Sequence, residues 1–309
     1  MPSEDWSTHI KIDRRNILEQ LDRHYLVFQH KLVLRFYTIK PSGTRLMVNG
    51  ICSVLHKSLT YFVYGEDKIA DDPIWAGANA GGYFGLKDPQ TDGKYGELLL
   101  FVLVESVLGC KMVAHKIKSL SNRRDQVKGG DGIFIGNYEH DGLILPAYLI
   151  GESKVTGNFA LALKEAMQSI DKFHKPGTGP AFLDNELIVA QEFISESHVN
   201  LDELYERLTP GSRLFQEQVL VHPILLMYNT QSFEKFERAA IDPATLSAAI
   251  GNELSGKEQN YLRKISKQCE AYPNLKKVFL DFFVIPCNSV DEFRDAMYEK
   301  IHHVPYQRS

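Results

Sequence analysis

Two apolar stretches that carry charged residues at one end constrain this fold more than any other feature. The first reads "GGDGIFIGNY" over residues 129–138, and the second reads "AYLIGESKV" over residues 147–155. Aliphatic and aromatic residues bounded by glycines are typical of buried strands. A largely apolar helical pattern begins before them at Gly96, and an amphipathic one follows after Thr156. The order helix, strand, strand, helix predicts an α/β (α+β) fold, with a mixed central β-sheet flanked by helices.

This core occupies only part of the 309 residues. We predict an N-terminal α+β extension over 1–90, the core over 91–230, and a C-terminal α/β extension over 231–309 that packs on the core. In the N-terminal part, "KLVLRFYTI" and "SLTYFVYG" are rich in β-branched and aromatic residues, which predicts two strands. The loop that follows them, rich in Gly, Pro and Asp, is expected to contain no helix. The helix from Gly96 is predicted to continue to about Leu120.

Composition excludes several classes of protein. With 44% hydrophobic and 24% charged residues, the chain has the composition of a globular protein and not of a disordered one. The four cysteines have no paired spacing, which argues against a zinc site or a disulfide framework and favours a cytoplasmic location. The charged N-terminus does not resemble a secretory signal, and the longest apolar run, at 98–104, is too short to span a membrane. A net charge of -4 still allows nucleic acid as a partner, provided that a local basic patch exists.

The charged ends of the two strands are expected to meet. Side chains alternate along a strand, so Glu152 and Lys154 project from the same face. If the two strands are neighbours, Asp131 reaches the same place, and the glycines around it allow close approach of the backbones. Two carboxylates of this kind suit Mg²⁺, which accepts phosphate oxygens and waters as its other ligands. A lysine beside them is placed to assist an attacking water or to stabilise charge on a phosphate.

Chance also supplies an acid two residues before a lysine, at Glu66 and Lys68 and again at Asp92 and Lys94. We favour the pair at residues 152 and 154 because only that pair has a strand with an aspartate and an acidic helix before it, and an amphipathic helix after it. The alternative interpretation is that the aspartate belongs to a simple turn and that the pair is a solvated strand end.

This arrangement resembles the PD-(D/E)xK nuclease superfamily. Within this superfamily, the chain resembles the HamA family, the nuclease subunits of Hachiman anti-phage defence systems. The resemblance is clearest over residues 90–175, in the segments "GELLL", "KGGDGIFI", "LIGESK" and "KEAMQSIDKF". The proline of the superfamily motif is absent, because Gly130 precedes Asp131.

The resemblance implies metal-dependent cleavage of DNA in a complex with a helicase partner, usually called HamB. Asp131 and Glu152 are expected to hold Mg²⁺, for which Mn²⁺ substitutes, while Lys154 assists the water. Glu97 is expected to position this metal or a second one, although an acid at a helix N-terminus is also favourable through the helix dipole alone. Two alternatives remain, a non-catalytic DNA-binding or scaffold subunit of a helicase complex and a site-specific restriction-type endonuclease.

A basic segment precedes the predicted metal aspartate. It is a candidate DNA-binding patch and, equally, a candidate solvated helix end. Its predicted phosphate contacts are Lys116, Lys118, Arg123, Arg124 and Lys128, and Lys111 belongs to the same segment. Two further polar residues, Glu105 and His222, lie in apolar patterns and are interpreted as structural.

Overall fold

A computed structural model describes residues 4–114, 130–179, 183, 184, 187 and 199–307. The strands are β1 (Leu21–Gln29), β2 (Leu32–Ile39), β3 (Pro41–Ser42), β4 (Arg45–Leu46), β5 (Lys111–Ala114), β6 (Ile133–His140), β7 (Leu143–Ile150), β8 (Glu152–Thr156), β9 (Val219–Asn229) and β10 (Phe279–Cys287). The helices are α1 (Arg14–Leu18), α2 (Asn49–Asp71), α3 (Pro73–Asn79), α4 (Lys94–Leu103), α5 (Phe159–Asp171), α6 (Leu201–Leu208), α7 (Arg213–Gln216), α8 (Ser232–Ala239), α9 (Pro243–Glu270) and α10 (Val290–His302).

Within the described residues, eight strands form one mixed sheet in the order β1-β2-β10-β9-β7-β6-β5, with β8 also paired to β9. Strand β10 pairs in parallel with β2 and with β9, and β9 also pairs in parallel with β7 and with β8. The pairs β1–β2, β7–β6 and β6–β5 are antiparallel. The predicted fold class, a mixed sheet flanked by helices, is therefore confirmed.

The apolar core lies on both faces of this sheet. Residues of α2, α4 and α10 pack with alternate residues of β9 and β10, such as Leu225 and Phe283, on one face. Residues of α5, α8 and α9 pack on the other face with the intervening residues, such as Ile224 and Phe282. Burial of both faces explains why these strands are almost entirely apolar. No helix in the described part of the chain has both the length and the apolar character needed to cross a bilayer.

The terminal segments contribute strands to the middle of the sheet. Strand β2, from the N-terminal segment, lies beside β10, from the C-terminal segment, and β10 lies beside β9, from the core segment. Strands from all three predicted segments are therefore neighbours in one hydrogen-bonded sheet. Buried side chains join them as well. Arg35 on β2 donates two hydrogen bonds to Asp281 on β10, at 2.8 and 3.0 Å, and the Tyr138 hydroxyl on β6 donates to the same carboxylate at 2.9 Å. Removal of either terminal segment would therefore take strands out of the sheet itself.

Several local predictions were wrong. The stretch "SLTYFVYG" lies in α2 and not in a strand, because Ile51, Leu55, Leu59 and Phe62 repeat at helical spacing and form the buried face. The next segment was expected to contain no helix, but it forms α3, with Pro73 in the first turn and an aspartate at the N-cap.

The third wrong prediction is the length of the helix that carries Glu97. Helix α4 gives way to a π-helical turn, Val104–Leu108, and Gly109 then ends the helix in the left-handed conformation with φ 68°. The chain continues as β5 and not as helix to Leu120. Residues 115–129 lie outside the described residues.

His222 on β9 is a core residue, as expected. Its ring is fully buried, and Nδ1 lies 3.0 Å from the Ile150 carbonyl oxygen while Nε2 lies 2.8 Å from His174 Nε2. A carbonyl oxygen only accepts, so this network assigns the proton of neutral His222 to Nδ1. Burial, and then the neighbouring His174, lowers the pKa of His222 from 6.5 to about 3.

This depressed pKa predicts an acid-sensitive contribution to stability. The unfolded chain takes up a proton at His222 below about pH 6.5, whereas the folded chain does not do so until about pH 3. The contribution is therefore complete above pH 6.5 and is lost as the pH falls towards 3, by up to about 1.4 kcal/mol per pH unit. The free energy of unfolding, measured by chemical denaturation at pH 7, 6 and 5, should decline less steeply in His222→Gln than in the unmodified chain. Identical slopes for the two proteins would contradict this account.

Candidate functional site

The proposed site lies where β7 continues into β8. Strand β8 pairs in parallel with β9, with Glu152 opposite Ile224 and Ser153 opposite Leu225. Because paired residues in a parallel ladder project to the same side, Glu152 and Lys154 face the α5 layer and Ser153 faces the α4 layer. The predicted alternation of these three side chains is thus observed.

Asp131 is tied to the middle of this motif. Its backbone N–H donates to the Gly151 carbonyl at 2.8 Å, and the Gly151 N–H donates to the Gly132 carbonyl at 2.9 Å, which keeps the two chain segments side by side. The Asp131 Oδ2 atom accepts two hydrogen bonds from Ser153, one from the backbone N–H and one from the side-chain hydroxyl, each at 2.7 Å. The loop before β6 is therefore locked to β8 through one carboxylate oxygen.

Glu152 and Lys154 form a partly buried ion pair, in which the ammonium contacts Oε1 of the carboxylate. Burial, followed by the nearby charge of Asp131, raises the pKa of Glu152 to about 7, although Lys154 and the hydroxyl of Ser169 on α5 lower it. Burial lowers the pKa of Lys154, but the charges of Glu152, Asp131 and Glu165 outweigh this effect and raise it overall. The charges of neighbouring residues, Asp131 among them, therefore help to set the pKa values of both Glu152 and Lys154.

Glu97 approaches from the α4 side. It lies in the first turn of α4, next to Gly96, where a Cβ atom would be 3.2 Å from Ser153 Oγ and 2.9 Å from Val155 Cγ2. Glycine thus permits the helix to pack directly on β8. Burial raises the pKa of Tyr83, and the charges of Glu97, Asp92 and Asp131 raise it further. Glu97 and Asp131 therefore both act electrostatically on the Tyr83 phenol.

The alternative interpretation of a solvated strand end does not fit the burial of these residues. Glu152 is 4% exposed and Asp131 is 8% exposed. A carboxylate in such surroundings loses hydration, and the loss must be offset by hydrogen bonds or opposite charges. The observed partners, Ser153 and Lys154, supply both.

The two competing acid–lysine pairs make different contacts. Glu66 and Lys68 lie in α2, where Glu66 pairs with Lys11 at 3.0 Å and the Lys68 ammonium lies 5.7 Å from the Trp75 ring centroid. The expectation that this pair follows a strand was wrong. In the second pair, Lys94 contacts its own acid, Asp92, at 3.4 Å and donates to the Tyr83 carbonyl oxygen at 3.0 Å. These contacts hold the loop before α4 in place.

Most of the predicted DNA-binding segment cannot be placed. Lys116, Lys118, Arg123, Arg124 and Lys128 lie outside the described residues.

Lys111, from the same segment, is almost fully buried on β5. Its ammonium contacts the Tyr61 hydroxyl and lies 3.8 Å from Glu105, so it does not form part of a surface patch. Glu105 also accepts a hydrogen bond from the Met112 N–H at 2.9 Å, which supports its structural interpretation.

The donor set at the site can be compared with the needs of a metal ion. Among the described residues, no group of three or more histidine, cysteine, aspartate or glutamate side chains is placed to hold a metal. Mg²⁺, however, is often bound by only one or two carboxylates and completes its shell with waters and phosphate oxygens. The charge of Asp131 raises the pKa of Glu152, so a divalent cation between the two acids would relieve their repulsion. Asp131 and Glu152 therefore fit Mg²⁺ with waters and phosphate oxygens as its other ligands. They fit less well a metal that is held by protein ligands alone.

Two residues at the centre of this arrangement were not singled out from the sequence. Ser153 was treated only as the residue between the acid and the base, yet it holds Asp131 through two hydrogen bonds. Gly96 was noted only as the start of a helix, yet it provides the contact between α4 and β8. A glycine within an apolar helix is the one signal that indicated such a close approach.

Comparison with known proteins assigns the family. Among curated proteins there is no match to this chain. A family model described as HamA matches residues 15–301, a range that runs from α1 to α10 and contains every element that builds the site. The chain therefore belongs to the HamA family.

Proposed function

We propose that this chain is a Mg²⁺-dependent DNA nuclease, the effector of a Hachiman-type anti-phage defence complex that also contains a helicase. It hydrolyses phosphodiester bonds with little sequence specificity. Membership of the HamA family supports the defence context. The observation that carries the nuclease proposal is the grouping of Asp131, Glu152 and Lys154 around Ser153 at the junction of β7 and β8.

Each residue has a distinct role in this proposal. Asp131 and Glu152 hold the metal ion, and Glu97, from the α4 side, positions the same ion or a second one. The bound ion supplies Lewis-acid polarisation of the phosphate and lowers the pKa of its water. The Lys154 ammonium, held beside Glu152, stabilises negative charge that develops on the phosphate.

The basic segment has the remaining role. Lys116, Lys118, Arg123, Arg124 and Lys128 are proposed to contact backbone phosphates, which positions DNA without reading its sequence. Such contacts favour a nonspecific nuclease over a restriction-type endonuclease, because base recognition needs contacts to base edges.

The principal rival is a non-catalytic subunit that holds DNA or a helicase. Burial of two acids and a lysine in one place costs folding free energy unless every charge is compensated. A scaffold has no need for this arrangement, whereas pKa values shifted by neighbouring charges are typical of reactive sites. The shifted pKa of Glu152 therefore favours the enzyme.

The first test removes the acid and the base together. Glu152→Ala/Lys154→Ala should reduce the rate of Mg²⁺-dependent plasmid cleavage by on the order of a thousandfold, equivalent to about 4 kcal/mol of transition-state stabilisation. The double substitution is preferable to Glu152→Ala alone, because loss of one partner would leave the other charge partly buried without its counter-ion. Cleavage is measured on supercoiled DNA, and the melting temperature reports whether the variant folds.

A matched control uses the same spacing elsewhere in the chain. Glu66→Ala/Lys68→Ala removes an acid and a lysine from α2, and cleavage should change less than about twofold, since surface ion pairs contribute little. A folded Glu152→Ala/Lys154→Ala variant that cuts DNA as fast as this control would refute the assignment.

The helicase is proposed to bind outside the core and to hold the nuclease inactive, because a nonspecific nuclease would otherwise degrade host DNA. Several large apolar side chains are exposed in the terminal segments. Ile74 on α3 is 84% exposed, and Ile241, between α8 and α9, is 86% exposed. Where such residues form a contiguous patch, they mark protein interfaces. Point variants are suited to this question because the terminal segments also supply strands to the sheet.

The variant Ile74→Asp/Ile241→Asp is expected to weaken the helicase complex at least about tenfold, because a charge in an apolar contact is costly to desolvate. The affinity is measured by calorimetry on the purified subunits. Leu143→Asp/Ile144→Asp, at the tip of the hairpin between β6 and β7, is the control, since these residues are 62% and 71% exposed but belong to the core segment. The placement is wrong if the hairpin variant disrupts the complex and the first variant does not.

A further inference from the structure

Ser153 connects three parts of the site. It lies between the acid and the base on β8, and its side chain projects to the opposite face from both of them. It is almost fully buried. Its hydroxyl meets Oδ2 of Asp131, which also accepts from the Ser153 backbone N–H, and lies close to the α4 backbone at Gly96. Ser153 therefore contacts Asp131, in the loop before β6, and the helix α4. Its neighbours on β8 are Glu152 and Lys154.

Two donors of Ser153 converge on one oxygen atom. The backbone N–H and the side-chain Oγ both lie 2.7 Å from Asp131 Oδ2. A single hydrogen bond leaves a carboxylate able to rotate about its Cβ–Cγ bond, whereas two donors from one rigid strand restrict that rotation. Hydrogen bonds to charged groups are short and stronger than neutral ones, so this restraint is substantial.

The hydroxyl is itself held in place. Helix α4 approaches so closely at Gly96 that a Cβ atom there would lie 3.2 Å from Ser153 Oγ. A hydroxyl confined between a helix backbone and a carboxylate has few other orientations. The close contact with α4 thus keeps the donor directed at Asp131.

We propose that Ser153 is a positioning residue that fixes the orientation of the Asp131 carboxylate for binding of the divalent cation. This inference rests on the proposed metal-binding role of Asp131. Groups that orient a metal ligand typically contribute about 10- to 100-fold to metal affinity. The backbone N–H of residue 153 remains in any variant, so the effect of the hydroxyl alone lies at the lower end of this range.

The test measures metal binding directly as well as cleavage. In Ser153→Ala, the dissociation constant for Mn²⁺, determined by calorimetry on the full chain without DNA, should rise about tenfold. The Mg²⁺ concentration that gives half-maximal DNA cleavage should rise by a similar factor, while the rate at saturating Mg²⁺ changes less. Ser153→Cys, which keeps a weak donor of similar size, should give an intermediate affinity.

Thr156→Ala provides the matched control on the same strand. The Thr156 hydroxyl donates to the Asn158 carbonyl at 3.0 Å and makes no contact with Asp131 in the described hydrogen bonds, so its loss should leave Mn²⁺ affinity unchanged. Ser153→Ala with the same Mn²⁺ affinity as the unmodified chain would overturn the proposal. A lower melting temperature and slower cleavage, with an unchanged metal requirement, would also overturn it, because that pattern indicates a purely structural role.

The same measurements separate this inference from the proposed function. If the unmodified chain binds Mn²⁺ but does not cut DNA, the nuclease proposal fails and the affinity ratio still decides the role of Ser153. If the unmodified chain binds no Mn²⁺, both proposals are overturned.

Discussion

The parallel ladder between β8 and β9 is the interaction on which the rest of the site depends. It sets Glu152 opposite Ile224 and Ser153 opposite Leu225, and so decides which side chains meet α5 and which meet α4. Because side chains alternate strictly along a strand, a slip of one residue would exchange the two sets. Glu152 and Lys154 would then face α4, and Ser153 would lose its hydrogen bonds to Asp131. β9 is itself fixed by β10 on its other side, which joins the site to the C-terminal segment.

Electrostatics at the site reflect a conflict between burial and charge. Asp131 and Glu152 are both buried and repel each other, which raises the pKa of Glu152. Lys154 and the donors of Ser153 compensate part of this cost. The same arrangement favours a divalent cation, because added positive charge would remove the remaining repulsion. The two buried acids of the proposed metal site therefore lower the stability of the fold locally.

The sequence predicted the sheet core well because its pattern is local. Apolar runs bounded by glycines located β6 and the region of β7 and β8, and the period of two correctly placed Glu152 and Lys154 on one face of the sheet. The prediction of one strand over 147–155 was wrong, because the chain leaves β7 at Ile150 and begins β8 at Glu152. Local preference failed at residues 58–65, where aromatic residues suggested a strand but helical spacing of the buried residues prevailed. It failed again after Leu103, where Gly109 ends the helix and β5 follows.

Contacts between distant segments lay beyond prediction from the sequence. The pair formed by Arg35 and Asp281 joins residues 246 positions apart, and no local pattern announces it. The contact of Ser153 with Asp131 likewise depends on how the loop before β6 meets β8, which follows from the sheet as a whole. The same is true of Gly96, because its role is visible only once α4 lies on the strand. Residues that bind one another across the fold were therefore missed, while residues that follow a local period were found.

Asp131 and Glu152 are proposed to hold a divalent cation together. The most direct measurement is anomalous X-ray scattering from crystals of the chain soaked in Mn²⁺. We expect an anomalous peak between the two carboxylates. A well-ordered crystal at saturating Mn²⁺ with no peak there, or with a peak bound by other residues, would contradict it.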